Sequence, residues 1–311
     1  MRKLATALLL LLAPILCHGM ADDMGLADDA RAQEILKEAR KAIGGEEAIK
    51  RIQSLGIKGE YRRILGEREL AGDREVSIQL PDKYLVEDAM NPGGLSTAIV
   101  NTRGMNGERA WTGSSGGAGG GMVFRMGGPA GQQATPEQIE AGFRRVYRNE
   151  FARYLLAIMV MPPPDFAVEY KYAGESDVED SHAAVIEITG PDKFSIRVFF
   201  DKQTHLPLLL SYRGNKPRIV TMTRPAGPSG NGKPDDAVKH AKAEADKLAG
   251  EPAPKPEEVD FFIRVSDYRK DGGLTLPHKF TFLTEAEVSE EFQISKYQVN
   301  PQFKPERFQK N

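Results

Sequence analysis

Residues 194–212 read FSIRVFFDKQTHLPLLLSY. In the first seven positions Phe194, Ile196, Val198 and Phe200 alternate with Ser195 and Arg197. A period of two places one set of side chains in a core and the other in water, which is a β-strand pattern. Residues 201–205 are a polar turn, and 206–212 form a second apolar run. Two strands joined by so short a turn must run antiparallel.

The same pattern extends in both directions. Strands are expected at 166–172 and 183–189 before this hairpin, and at 218–223, 259–268, 274–283 and 287–299 after it. In the first half, Leu55, Ile57 and Gly59 alternate with Gly56, Lys58 and Glu60, and Val76, Ile78 and Leu80 with Ser77 and Gln79. Pro81-Asp82 is a turn signal, after which residues 83–87 begin another strand. Strands at 96–102 and 108–112 are joined by a connection containing Asn106-Gly107, a strong hairpin signal. The tail from Asn300 is expected to be irregular.

Three helices interrupt the strands. Residues 22–26 read as a loose terminus, and Asp28 or Asp29 as the cap of a helix running to Ile43, with Ile35, Leu36, Ala39 and Ile43 at helical spacing. Gly44-Gly45 stops it, and a short helix follows over 46–53. The third helix spans 135–161, with Thr135 as N-cap, Pro136 in the first helical position and Gln138 placed for a capping box. Ile139, Phe143, Val146, Tyr147, Tyr154, Leu155 and Ile158 make its apolar stripe, and Pro162-Pro163-Pro164 ends it. Runs of strands with so few helices exclude a doubly wound α/β fold and point to a curved antiparallel sheet with helices on one face.

Composition narrows the function. Of 311 residues, 40% are hydrophobic and 28% charged, which excludes a disordered chain. The formal net charge of −2 supplies no basic field for nucleic acid. The only long apolar run, residues 4–16, follows Arg2 and Lys3 and is broken by Pro14. This reads as a signal peptide over residues 1–21, cut after Gly19 or Ala21, and not as a membrane span. The single cysteine, Cys17, falls inside it, and Leu16 before it disfavours lipidation. The exported chain, residues 22–311, is then one domain without disulfide or thiol chemistry. Residues 224–258 carry six prolines and both charge signs with almost no large apolar residues, and read as a mobile insertion.

Catalytic and cofactor motifs are absent. The glycine-rich run at 113–128 lacks the Gly-Lys-Ser/Thr ending of a phosphate loop and follows no parallel βαβ unit, so no nucleotide cofactor is expected. His182, His205, His240 and His278 are too far apart in sequence for a spaced metal motif, and His205 and His278 read as turn-proximal surface residues. No Gly-x-Ser-x-Gly elbow occurs. Glu290-Glu291 face opposite ways on a strand and read as solvated charges. The apolar helix 135–161 reads first as a core helix. The sharper reading makes it a lid over the sheet, enclosing a site for a long apolar ligand lined by Trp111, Met122, Phe124, Phe143, Tyr147, Leu155 and Ile158.

Several segments, in order along the chain, resemble the LolA/LolB-like outer-membrane lipoprotein-sorting superfamily. They are Ala39-Arg40-Lys41-Ala42-Ile43-Gly44-Gly45 with Ala48-Ile49 and Ile52-Gln53-Ser54-Leu55, then Leu80-Pro81-Asp82-Lys83-Tyr84. Asp201-Lys202-Gln203-Thr204-His205-Leu206-Pro207 resembles the group's strand-turn-strand element. The most telling are Ser266-Asp267-Tyr268-Arg269, Gly273-Leu274-Thr275-Leu276-Pro277-His278, Glu291-Phe292-Gln293-Ile294 and Tyr297-Gln298-Val299-Asn300-Pro301. The resemblance implies an α+β, mainly β fold: an unclosed, half-open antiparallel β-barrel with N-terminal helices and a central helix covering the concave face. It implies a periplasmic, non-catalytic carrier whose partner is a lipid or lipoprotein acyl chain. The alternative is an envelope protein-interaction module with a filled core and no ligand, working through the 224–258 insertion.

Overall fold

The computed structural model describes residues 20–91, 98–116, 135–216 and 257–310. Residues 1–19, the strand expected at 218–223, the insertion up to residue 256 and most of the glycine-rich run lie outside them.

Two helices come first, α1 (Met20–Ile43) and α2 (Glu46–Lys50). Five strands follow: β1 (Ser54–Leu65), β2 (Arg68–Gln79), β3 (Lys83–Met90), β4 (Ile99–Asn106) and β5 (Arg109–Ser115). After α3 (Pro136–Met159) come β6 (Glu169–Val178), β7 (Ser181–Gly190), β8 (Phe194–Asp201), β9 (Pro207–Asn215), β10 (Glu258–Asp271), β11 (Leu274–Thr284) and β12 (Glu287–Val299). All twelve form one antiparallel sheet in the order β5-β4-β3-β2-β1-β12-β11-β10-β9-β8-β7-β6. The first and last strands meet in the middle, and two meanders run outward from them. The edge strands β5 and β6 do not pair, so the sheet is mainly β, unclosed and half-open, as the resemblance implied.

The order explains the central helix. β5 and β6 are consecutive strands at opposite edges, so the chain between them must cross the sheet. At 1.5 Å per residue, the 24 residues of α3 reach about 36 Å. Its start follows the sequence: Thr135 accepts from the Gln138 backbone, and the Gln138 side chain closes the capping box. Val160 in the left-handed conformation ends it, just before the three prolines.

Tight turns set the register. Gly272-Gly273 joins β10 to β11 with both residues at positive φ, the type I′ requirement. Gly59 sits at the bulge where β1 meets β12, and a Cβ there would stand 2.0 Å from the Gln293 carbonyl oxygen. α1 lays Ala32, Leu36, Ala39 and Ile43 against β6 and β11. Arg40 reaches from it to donate to the Val160 carbonyl at 3.2 Å.

Several expectations are corrected. α1 begins at Met20, so residues 22–26 are helical. α2 stops at Lys50 because the Gln53 and Ser54 backbone amides donate to the Asn300 side chain. β1 and β2 continue through charged residues to a turn at Gly66, held by pairs such as Arg62 with Glu69 and Lys58 with Glu75. His278 is buried, its Nδ1–H donating to the Ile294 carbonyl at 3.1 Å and its ring meeting Tyr297 edge-on. The tail is partly ordered: Pro305–Phe308 forms a 3₁₀ turn and Phe308 is buried.

Candidate functional site: the concave face under the crossing helix

Alternation along each strand gives the concave face its lining. In β2, Leu70, Val76 and Ile78 point inward; in β3, Tyr84, Val86 and Met90; in β12, Phe292, Ile294 and Tyr297. The inner residues of β7 to β11 complete one continuous apolar cluster with α3. α3 contributes Tyr147, Phe151, Tyr154, Leu155 and Ile158, all buried, with Phe143 half-buried. These positions recur every three or four residues and so share one helix face. Phe151 stacks on Tyr84 with ring centroids 5.5 Å apart, and Tyr154 lies 5.6 Å from Phe280. Phe143 and Tyr147 stack nearly parallel at 5.7 Å.

The structure therefore places Phe143, Tyr147, Leu155 and Ile158 together on the face of α3 that meets the sheet. It places Trp111 elsewhere. Ala110 belongs to the concave cluster, and Trp111, the next residue of β5, faces the other side of the sheet. There it packs with Leu85, Phe308 and Phe303. The close approach uses Gly104, where a Cβ would lie 2.6 Å from the Trp111 ring. Met122 and Phe124 lie outside the described residues.

Within the apolar face lies a charged group of which the sequence reading singled out only Glu290. The Arg74 side chain has no solvent exposure. It holds Asp88 with both arms, Nε to Oδ1 at 2.6 Å and Nη2 to Oδ2 at 2.9 Å, and also donates to Glu290. Its guanidinium lies between the rings of Tyr61 and Phe292, at 4.8 and 5.4 Å. Arg63 donates to Glu290 at 2.7 Å. Burial works to raise the Asp88 and Glu290 pKa values, but the surrounding arginines, Arg74 first, outweigh it and hold both at about 2. Glu290 thus corrects the reading of a solvated pair: Glu291 faces out to Arg62 and Lys279, while Glu290 faces in.

This group is tied to the helix. Arg103 of β4 donates to Asp88 at 3.2 Å and to Glu150 of α3 at 2.9 Å. Tyr84 donates its hydroxyl to the same Glu150 oxygen at 2.9 Å. Glu150 is the one carboxylate of α3 bound to concave-face side chains among the described residues. The signal was present in the sequence: Arg74 shares the phase of Val76 and Ile78, Asp88 that of Val86, and Arg103 that of Met105. Among the described residues no three His, Cys, Asp or Glu side chains gather as metal ligands. None of the described helices is long and apolar enough to cross a membrane.

No family model matches the chain, and no curated protein matches it. Solved structures are similar to it. A LolA superfamily protein from Nitrosomonas europaea is 11% identical, with a TM-score of 0.43 over 90% of this chain and 97% of that one. A DUF1329 family protein from Desulfovibrio piger is 10% identical, with a TM-score of 0.43 over 89% and 97%. A domain named for outer-membrane lipoprotein sorting, from Vibrio parahaemolyticus, is 9% identical, with a TM-score of 0.44 over 90% and 97%.

Proposed function

We propose that this protein is an exported, non-catalytic carrier that binds an acyl chain of a lipid or lipoprotein between the concave sheet face and α3. The observation that carries the reading is the position of α3. It is the connection between two unpaired edge strands, laid across an open apolar face and joined to that face's charged group through Glu150. A helix so placed is a removable cover. Displacing it exposes a long apolar trough without breaking any strand pairing. Each methylene buried there contributes about 0.8 kcal/mol, so a single chain gives useful and reversible affinity. Residues 1–21 serve as the export signal, and the protein works in the periplasm as one domain over residues 22–311. Phe143, Tyr147, Leu155 and Ile158 form the part of the lining that α3 supplies.

The test is equilibrium binding of a fluorescent fatty-acyl probe to the purified protein and to Phe143→Glu, a half-buried position on the covering face. Saturable binding lost in a folded Phe143→Glu variant supports the carrier. Equal binding by both removes α3 from the site. One observation favours a second reading, an envelope interaction module: α3 side chains fill the concave face in the state seen here. Under that reading no chain binds, and replacing residues 224–258 costs partner binding without loss of stability.

A further inference from the structure

Arg153 breaks the pattern of paired charges inside this protein. Its guanidinium carbon lies 3.7 Å from the centroid of the Tyr212 ring and 5.8 Å from that of Phe194. Tyr212 is itself stacked on Phe261 at 5.2 Å, so the guanidinium rests on a two-ring shelf at the β9 and β10 flank of α3. Its Nε is buried with no hydrogen-bond partner, and no carboxylate of the described residues forms an ion pair with it. Glu150, one turn earlier, is committed to Arg103 and Tyr84 on the other flank. Asn149, four residues before Arg153 and on the same side of the helix, also carries a buried atom without a partner, its Oδ1.

A guanidinium does not escape this burial by losing its proton. A buried charge left alone is among the costlier features a fold can hold. The stacking also leaves the cation ready for use: a guanidinium lying on a ring keeps its N–H groups in its own plane, with its outer edge free for a two-pronged oxyanion. Arg153 is half-buried as a residue, and of its guanidinium nitrogens only Nε is buried without a partner, which leaves the terminal nitrogens as the edge open to a ligand. The Asn149 amide, whose nitrogen and oxygen are interchangeable by rotation, adds a donor beside it.

We propose that Arg153 on its Tyr212 shelf, with Asn149 beside it, receives the anionic head of the bound ligand, a carboxylate or phosphate carried on a single long chain. This rests on the carrier reading above and adds a polarity to it. The head sits at the flank between α3 and β9–β10, and the chain runs along the apolar stripe of α3. The protein then distinguishes acids and phosphates from neutral lipids of the same length.

The experiment compares three probes of equal chain length, palmitate, hexadecyl phosphate and hexadecanol, by titration calorimetry against the full-length mature protein and Arg153→Gln. Both anions are expected to bind at least about tenfold tighter than hexadecanol, the effect of one charge-assisted pair. Arg153→Gln is expected to remove that preference while hexadecanol binding and thermal stability persist. A preference for only one anion identifies the head as carboxylate or phosphate and supports the site. Equal binding of all three by the native protein overturns the head-group site and leaves the carrier intact. So does a preference that survives in Arg153→Gln, or a variant that cannot fold. Binding of none of the three overturns the carrier reading and the head-group site together.

Discussion

Replacing Glu150 by Gln separates a moving cover from a fixed core helix. Glu150 accepts from Arg103 Nη2 at 2.9 Å, from its Nε at 3.2 Å and from the Tyr84 hydroxyl at 2.9 Å. Gln keeps the size of the side chain and an oxygen for Tyr84, and loses only the charge. Arg103 is not stranded, because Asp88 Oδ2 stays 3.2 Å away. A charge-assisted pair of this geometry is worth roughly 1.5–3 kcal/mol when buried. Both side chains keep about a quarter of their exposure, at 23% and 24%, which calls for a discount for solvent screening. The net loss is then about 1–2 kcal/mol. If α3 must leave the sheet for a chain to enter, the same amount is removed from the cost of opening. The open population rises roughly 5- to 30-fold, and apparent affinity for an acyl probe tightens by that factor. Urea denaturation measures the stability loss, and stopped-flow uptake with equilibrium titration measures affinity. A variant that loses about 1–2 kcal/mol of stability but binds the probe no faster and no tighter refutes a displaced α3.

Three further outcomes follow from the same contacts. Arg74→Met leaves Asp88 and Glu290 buried with fewer partners and should cost about 3–5 kcal/mol in urea denaturation, much of it recovered when Asp88→Asn and Glu290→Gln are added; no recovery would mean that the arginine acts through packing alone. Asp88 and Glu290 have folded pKa values held near 2, below their unfolded values, so their stabilisation is present above the unfolded values and drains away as pH falls from about 5 to 2. The double variant Asp88→Asn, Glu290→Gln should show a shallower acid slope of urea midpoint, and an unchanged slope would contradict the assignment. Trp111 is buried against Phe308 on the face opposite α3, so removing residues 301–310 should red-shift its fluorescence and leave acyl-probe binding intact; lost binding would place this tryptophan in the site.

The fold was largely legible because its signals are local. The alternation in Phe194–Phe200, the capping box at Thr135 and Gln138, and the glycine turns each depend on neighbours a few residues away. The strands lengthen beyond the expected bounds where charge hides the alternation, as in Arg62 to Arg74, because those charges are satisfied across the sheet by residues more than two hundred positions distant, such as Glu290 and Glu291. The phase of Arg74 among Val76 and Ile78 marked it as inward-facing, yet a lone arginine in a strand names no partner until β3 and β12 are in place. Trp111 shows the converse. Its side of the sheet follows from the phase of Ala110, but only the returning tail, with Phe303 and Phe308, makes that side a core. Arg153 could not be read at all, since what distinguishes it is that no carboxylate among the described residues pairs with it in three dimensions.

Native mass spectrometry of the protein isolated from its own cell envelope, with lipid extraction of the same sample, tests the central claim most directly. The account predicts a bound species carrying at least one acyl chain, released on denaturation and missing from Phe143→Glu. A mass equal to the bare polypeptide, together with no uptake of added lipids or acylated peptides by the folded protein, would contradict it.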